Sequence, residues 1–369
     1  MPGAGTKPVH TSARVTGPAF APGSVPLPEI SLAAAYRLRW QRRRLLWRAF
    51  RARHQLRRVT DHTAILPDNA LIAITVLRNE ATRIPFFLQF YRDLGVDHFL
   101  IVDNDSGDGG AEYLAAQPDV SLWHTTASYR DARFGLDWAT WLQIRHGHRR
   151  WCLSVDADEL LVFGGDAQHG LRGLTHWLDR QGRIGFGVLM LDLFPKGPLG
   201  KVNYSPGDDP RTVLPWFDPG PYRAVRQAPR GNLWVQGGTR ERVFFAAEPQ
   251  RAPTLNKIPL IKWDRRYAYT NSTHAALPRW LNALYDGPGG GMPSGVLLHS
   301  KFLPEIAEKA RIEKQRGQHF SQPHQFENYY DQLAAGPDLW HDKALRYVGP
   351  DQLEALGLAR APIGTRANV

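Results

Sequence analysis

Trp151-Cys152-Leu153-Ser154-Val155-Asp156-Ala157-Asp158-Glu159 runs an apolar, β-prone segment straight into three carboxylates. The pattern predicts a strand that ends in a charge cluster. If the strand continues to Asp158, Asp156 and Asp158 share one face and Ala157 turns away, because strand side chains alternate with a period of two. Two carboxylates side by side repel, so the arrangement needs one of them protonated or a cation between them. A divalent metal is the economical solution. Two protein oxygens are too few to hold Mg²⁺ or Mn²⁺ alone, but they suffice when a substrate diphosphate supplies further ligands. Asp-x-Asp by itself is a common pattern, and the competing reading is an acidic strand end in solvent.

Outward from that stretch, the preceding residues follow a regular α/β pattern. Residues 71–77, LIAITVL, form a continuous apolar run suited to a buried parallel strand, which stops at Arg78-Asn79-Glu80. A helix follows, with Phe86, Phe87, Phe90, Tyr91 and Leu94 at helical spacing and Gly95 to end it. Residues 98–102 give a second strand, ending in Asp103-Asn104-Asp105-Ser106-Gly107-Asp108. A short helix near 110–116 and a third strand at 120–123 lead to a longer helix, whose Phe134, Trp138, Trp141, Leu142 and Arg145 fall on one face. The fourth strand carries Asp156 and Asp158. This order implies a mostly parallel sheet with right-handed crossovers, in which ligands bind beyond the carboxyl ends of the strands. Three polar tips meet at that edge, at residues 78–80, 103–106 and 156–159. No GxxxxGK[ST] loop is present and no GxGxxG follows the first strand, which argues against P-loop and dinucleotide-binding chemistry.

The chain has 369 residues, 43% of them hydrophobic, enough for one large or two ordinary domains. Its single cysteine, Cys152, excludes an internal disulfide and fits a reducing compartment. No apolar run approaches the length of a membrane span and no signal-peptide pattern opens the chain, so the expected location is cytoplasmic. The net charge is +11, much of it in YRLRWQRRRLLWRAFRARHQLRR, residues 36–58. Arginine and tryptophan at these spacings suit a helix on the inner, anionic face of a membrane. A solvated basic helix packed on the domain fits equally well. Nucleic acid is disfavoured, since no zinc-ligand spacing, helix-turn-helix or RNA-recognition motif accompanies the segment. Residues 1–35 read as a flexible tail, 36–66 as a basic amphipathic helical segment, 67–330 as the main domain, and 331–369 as a helical or loose segment. Residues 195–238 are rich in Pro, Gly and aromatics (Trp216, Phe217, Tyr222, Trp234) and read as a lid or binding loop, whose aromatics suit a sugar acceptor if they face outward and are core, the commoner fate, if they face inward. Residues 304–318 read as a charged helix.

Two segments, VLRNEATRIPFFLQFYRDLGVDHFLIVDNDSGDG (76–109) and WCLSVDADELLVF (151–163), resemble the nucleotide-sugar half of a GT-A glycosyltransferase of the bacterial family 2 type. LNKIPLIKW (255–263) and LLHSKFL (297–303) extend the resemblance over residues 70–330. It implies an α/β, Rossmann-like GT-A fold and an inverting, metal-dependent transfer from a nucleotide-diphosphate sugar, a UDP-sugar foremost, to a hydroxyl of a glycan, lipid-linked glycan or protein acceptor. Mapped residue by residue, it places Asn79, Glu80, Asp103, Asp105 and Ser106 at the base and ribose. Asp158 becomes a direct metal ligand, and Asp156 reaches ribose or a metal-bound water. Glu159 falls in a supporting position. His299, after the apolar strand 295–298, is a candidate third ligand, and an imidazole beside carboxylates suits Mn²⁺ as well as Mg²⁺. Lys301 is placed to counter the diphosphate. The acceptor base would be a carboxylate downstream, Glu241 or Asp264, although neither a Glu-Asp pair nor a Gln-x-x-Arg-Trp segment is found here.

Two other classes remain open from sequence. A metal-dependent nucleotidyltransferase would also use acidic strand tips but normally brings a Gly-rich phosphate loop. A non-catalytic binder of anionic polymer or membrane would need only residues 36–58.

Overall fold

A computed structural model describes residues 27–306, 309–311 and 327–362. Nine strands form one sheet: β1 (Arg57–Thr60), β2 (Leu71–Leu77), β3 (His98–Asp103), β4 (Val120–His124), β5 (Trp151–Ser154), β6 (Glu159–Val162), β7 (Gly185–Asp192), β11 (Asn256–Lys262) and β14 (Ser294–His299). Smaller pairings lie outside it. β8 (Trp216–Phe217) pairs with β15 (Leu345–Arg346), β9 (Tyr222–Gln227) with β10 (Asn232–Gly237), and β12 (Ala268–Tyr269) with β13 (Ala276–Leu277). The sheet order is β1-β4-β3-β2-β5-β11-β7-β14-β6. β4, β3, β2, β5, β7 and β14 run one way, while β1, β11 and β6 run against them, giving a mostly parallel, mixed α/β sheet of Rossmann-like layering.

Alternation along the central strands builds two cores. In β2, Leu71, Ala73 and Leu77 face one side, where α2 (Ile84–Leu94) contributes Phe87, Leu88 and Tyr91. Ile72 and Ile74 face the other, against Trp138 and Leu142 of α4 (Leu136–Leu142). Phe99 and Ile101 of β3 side with the first core, Leu100 and Val102 with the second. Cys152 packs in the second core and is fully buried.

Four segments take their form from contacts across the chain. β5 stops at Ser154, and residues 156–158 form a turn rather than more strand, so the inference that Asp156 and Asp158 share a strand face does not hold. The backbone turns there because the chain must leave the centre of the sheet to start β6 at its far edge. Over 36–58 the chain is the packed helix that the sequence allowed: helix α1 (Leu32–Ala52), capped by the Ser31 side chain, packs through Leu38, Leu45, Ala49 and Ala52 onto the domain, with Arg48 bonded to Asp137. Within 331–362, Leu333, Leu339, Leu353 and Leu358 are buried in the same core as Leu189 and Leu298, so this stretch closes the domain. Residues 195–238 hold the β9–β10 hairpin, and Phe217 and Tyr222 are core residues. The N-terminal tail up to residue 26, most of the helix expected over 304–318, and residues beyond 362 lie outside the described residues.

His98, at the start of β3, is buried and shares a 2.8 Å hydrogen bond with the Ser121 hydroxyl. Burial holds its pKa down at about 4, against an ordinary 6.5. The unfolded chain therefore binds a proton that the folded chain refuses between those values, and stability falls as pH drops through that window. His98→Gln should remove up to about 3 kcal/mol of this acid-side loss. Urea unfolding of both proteins at neutral pH and near pH 4 measures it, and parallel pH slopes would refute the assignment.

Candidate functional site

Three neighbouring strands bring their ends to one point. Asp192 closes β7, His299 closes β14, and Glu159 opens the antiparallel β6; His299 sits opposite Asp192 on one side and Glu159 on the other. His299 Nδ1 lies 2.6 Å from Asp192 Oδ1, and its Nε2 lies 3.0 Å from Asp158 Oδ2. Asp192 Oδ2 accepts from Arg240 Nε at 2.7 Å. Arg240 belongs to α7 (Gly238–Phe244), and both partners are buried. The turn itself is clamped: the Ser300 amide and hydroxyl donate to the Asp158 carbonyl at 2.7 and 3.0 Å.

Charge compensation at this edge comes from residues distant in sequence. Lys257, buried on β11, places Nζ 2.9 Å from Asp156 Oδ2 and also bonds Glu159. Glu159 in turn accepts from the Asp156 amide at 3.1 Å. Asp156 thus has a cation of its own in Lys257, and Asp158 faces the His299 imidazole, so a metal is not the single way to relieve their repulsion. Burial raises the Glu159 pKa, and Asp156 and Asp158 reinforce that rise against the pull of Lys257. Burial disfavours the Lys257 charge, but Asp156 and Glu159 outweigh it and raise its pKa. Burial would raise Asp158, yet His299, then Arg83 and Lys301, hold its carboxyl well below the usual range. Asp192 is likewise held at about 2, where Arg240 and His299 overcome its burial. His299 is raised: burial opposes its charge, and Asp158 and Asp192 favour it.

The donor set fits a divalent cation. Carboxylate and imidazole donor atoms of Asp158, Glu159 and His299 lie within 4.8 Å of one another. With Nδ1 turned to Asp192, a neutral His299 donates there and presents a lone pair from Nε2 toward Asp158; two acceptors facing each other need a proton or a metal between them. Asp158 and His299 are the residues that would hold it. Glu159 is committed to Lys257, and Asp156 is half exposed beside them.

The first two polar tips interlock. The Asn79 amide donates to Ser106 Oγ, and Asn79 Oδ1 accepts from the Gly107 amide, both at 2.9 Å. Asn79 and Asp105 adopt positive φ angles of 53° and 62°. Asp103 is fully buried; its Oδ2 accepts from the Ser106 amide and meets His124 Nδ1 at 2.9 Å, while its Oδ1 has no partner. Asp105 is half exposed beside Arg78, 3.5 Å away. Glu80 is taken up by Arg83 and Lys309. Arg83, buried, also meets Glu305 and reaches the Ser300 carbonyl, tying the first tip to the Asp158 turn.

The remaining candidates separate. Lys301 lies 5.8 Å from the Tyr329 ring and close enough to act on Asp158 electrostatically. Glu241 is on α7 and bonds Arg223, with its Oε2 buried and unpartnered. Asp264 is not brought to this site. It follows β11, whose last residue Lys262 pairs with Trp151 at the start of β5, so it stands at the opposite edge of the sheet, bound to Arg266.

Sequence reasoning missed Lys257, Asp192, Arg83 and Arg240. Asp192 carried a usable signal, since GFGVLMLD is an apolar run ending in an acid, like the runs ending at Asp103 and Asp156. Lys257, followed by the apolar IPLI, carried a weaker one.

No family model matches the chain, and no curated protein matches it. Among solved structures it is similar to one described as a glucose-1-phosphate thymidylyltransferase from Bacillus anthracis in complex with a sucrose, at 10% identity over 71% of this chain and 83% of that one, with a TM-score of 0.26. No residue role is taken from a likeness so distant.

Removing one member of a buried ion pair leaves the other charge uncompensated. Lys257→Met should therefore cost about 3–5 kcal/mol, read by denaturant unfolding. Adding Glu159→Gln should recover part of that loss; a double variant no more stable than the single would show that Glu159 does not depend on Lys257.

Proposed function

We propose that this edge of the sheet binds a nucleotide-diphosphate sugar with Mn²⁺ or Mg²⁺, and that the protein is an inverting glycosyltransferase acting on a hydroxyl of a glycan or glycolipid. The observation that carries the reading is the line Asp158–His299–Asp192–Arg240, an imidazole fixed on one nitrogen by a buried carboxylate and turned by the other toward an acid at the ends of the strands. Such orientation by an outer carboxylate is how metal-binding histidines are commonly held.

The bound cation would supply Lewis-acid charge for the departing diphosphate. Lys301 adds positive charge on the same side, and half-exposed Asp105 is an acceptor open to a ribose hydroxyl at the second strand tip. Arg83 holds the first tip and the Asp158 turn in one frame, so nucleoside and diphosphate contacts keep a fixed separation. Of the two carboxylates considered for the acceptor proton, Glu241 is kept, since it follows Arg240 on α7; Asp264 is set aside because it lies at the other edge. Glu241 must exchange Arg223 for the acceptor hydroxyl to act as a base. A lipid-linked acceptor would be met at the anionic face of a membrane, and no helix among the described residues is long and apolar enough to cross one.

Calorimetric titration of UDP and GDP, with and without Mn²⁺, tests the reading. One nucleotide should bind only with the metal, and Asp158→Asn should abolish that binding. Asp192→Asn, which touches no substrate, should weaken Mn²⁺ affinity by about 10–100-fold. Nucleotide binding that ignores both the metal and these substitutions would end the proposal.

A further inference from the structure

Helix α1 is anchored by one face and presents the other to solvent. Leu38, Leu45 and Ala49 are buried against the domain. On the opposite face Tyr36, Trp40, Arg43, Trp47 and Phe50 follow one another at helical spacing. Tyr36, Trp40 and Trp47 are 60%, 51% and 59% exposed, an uncommon fate for rings of this size in a run along one helix. They are ordered among themselves: Tyr36 meets Trp40 edge-on, Arg43 lies 5.2 Å over Trp40, and Trp47 stacks on Phe50. From Tyr36 to Phe50 the stripe runs over about 20 Å of the helix.

Its charge is one-sided. Residues 32–60 contain no Asp or Glu, and the exposed Arg39, Arg43, Arg44 and Arg51 have no carboxylate partner among the described residues. Beyond the helix, Arg266, paired with Asp264, lies close enough to Arg42 to act on it, and half-exposed Trp280 stands edge-on to Tyr267. On the other flank, Arg37 and Gln41 of α1 with Gln227, Arg230 and Asn232 of the β9–β10 turn line an open cleft of about 410 Å³ that contains no carboxylate.

We propose that the outward face of α1 is a docking surface for an anionic phospholipid bilayer, with the Arg37–Arg230 cleft receiving a lipid phosphate. Tryptophan and tyrosine rings settle at the headgroup level, and arginines beside them meet the lipid phosphates. A stripe of rings on a docked, continuous helix suits a flat surface; separate stacking platforms in a groove, as single-stranded nucleic acid requires, are not formed. This deepens the proposed action on a glycolipid by naming where the acceptor is met, and it uses none of the residues at the strand-tip site.

Flotation of the full chain with vesicles of phosphatidylcholine, alone or mixed with phosphatidylglycerol, tests it. The protein should float with the mixed vesicles only, with a blue shift in tryptophan emission. Trp40→Ala with Trp47→Ala, both solvent-facing, should weaken binding by about tenfold or more at every salt concentration. Arg37→Gln with Arg230→Gln should lower both the affinity and its salt dependence. Failure to float with the mixed vesicles, flotation indifferent to the tryptophans, or equal capture of inorganic phosphate and vesicles in competition would overturn the proposal. Metal-dependent nucleotide binding, measured on the same samples, separates this outcome from failure of the transferase reading: vesicle binding without nucleotide binding would sink only the latter.

Discussion

Three acids, Asp158, Glu159 and Asp192, converge where β7 and β14 end and β6 begins, and each meets a basic group delivered on another element. Lys257 arrives on β11, His299 on β14 and Arg240 on α7. Buried charges of this density are tolerated only when every partner is in place, because desolvation costs several kcal/mol per ion and is offset only by good geometry. The register of the sheet is thereby fixed twice, once by apolar alternation and once by charge. A slip of one residue in β14 would turn His299 away from both Asp158 and Asp192.

The antiparallel β11 in the midst of parallel strands has a specific role here. A parallel strand in its place would present its carboxyl end to the site. Running backwards, β11 begins at the site, so its second residue, Lys257, reaches Asp156 and Glu159 from below the turn. The same reversal carries residues 263–267 to the far edge, which places Asp264 away from Asp158 and His299.

Strands β2, β3 and β4 and helix α2 were legible in sequence, because each is a continuous apolar run or helical stripe bounded by polar residues or glycine. The polar tips at 78–80 and 103–106 were legible for the same reason; the family resemblance names Asp158 and His299 separately, as metal ligands, and their 3.0 Å contact shows only in the fold. What escaped was set by contacts across the chain. The turn at 156–158 follows from where β6 pairs, about which local periodicity is silent. Arg83 and Arg240 look like surface arginines until their helices are placed, and the docking of α1 depends on Asp137, 89 residues away from Arg48. Residues 331–362 contain short apolar pieces too sparse to announce that they complete a core.

The crossover from β5 to β6 has a consequence for how the molecule is made. The acidic turn is translated early, whereas Lys257 lies 98 residues beyond Glu159 and His299 lies 107 beyond Asp192. As the chain leaves the ribosome, β2 to β5 can pair while the acids that follow are still without counter-charges. Edge strand β6 has no partner until β14 is made. The amino-terminal half therefore waits as an incomplete sheet with an open edge, a form prone to pairing with other chains. Assembly of the site and closure of the sheet become one late event.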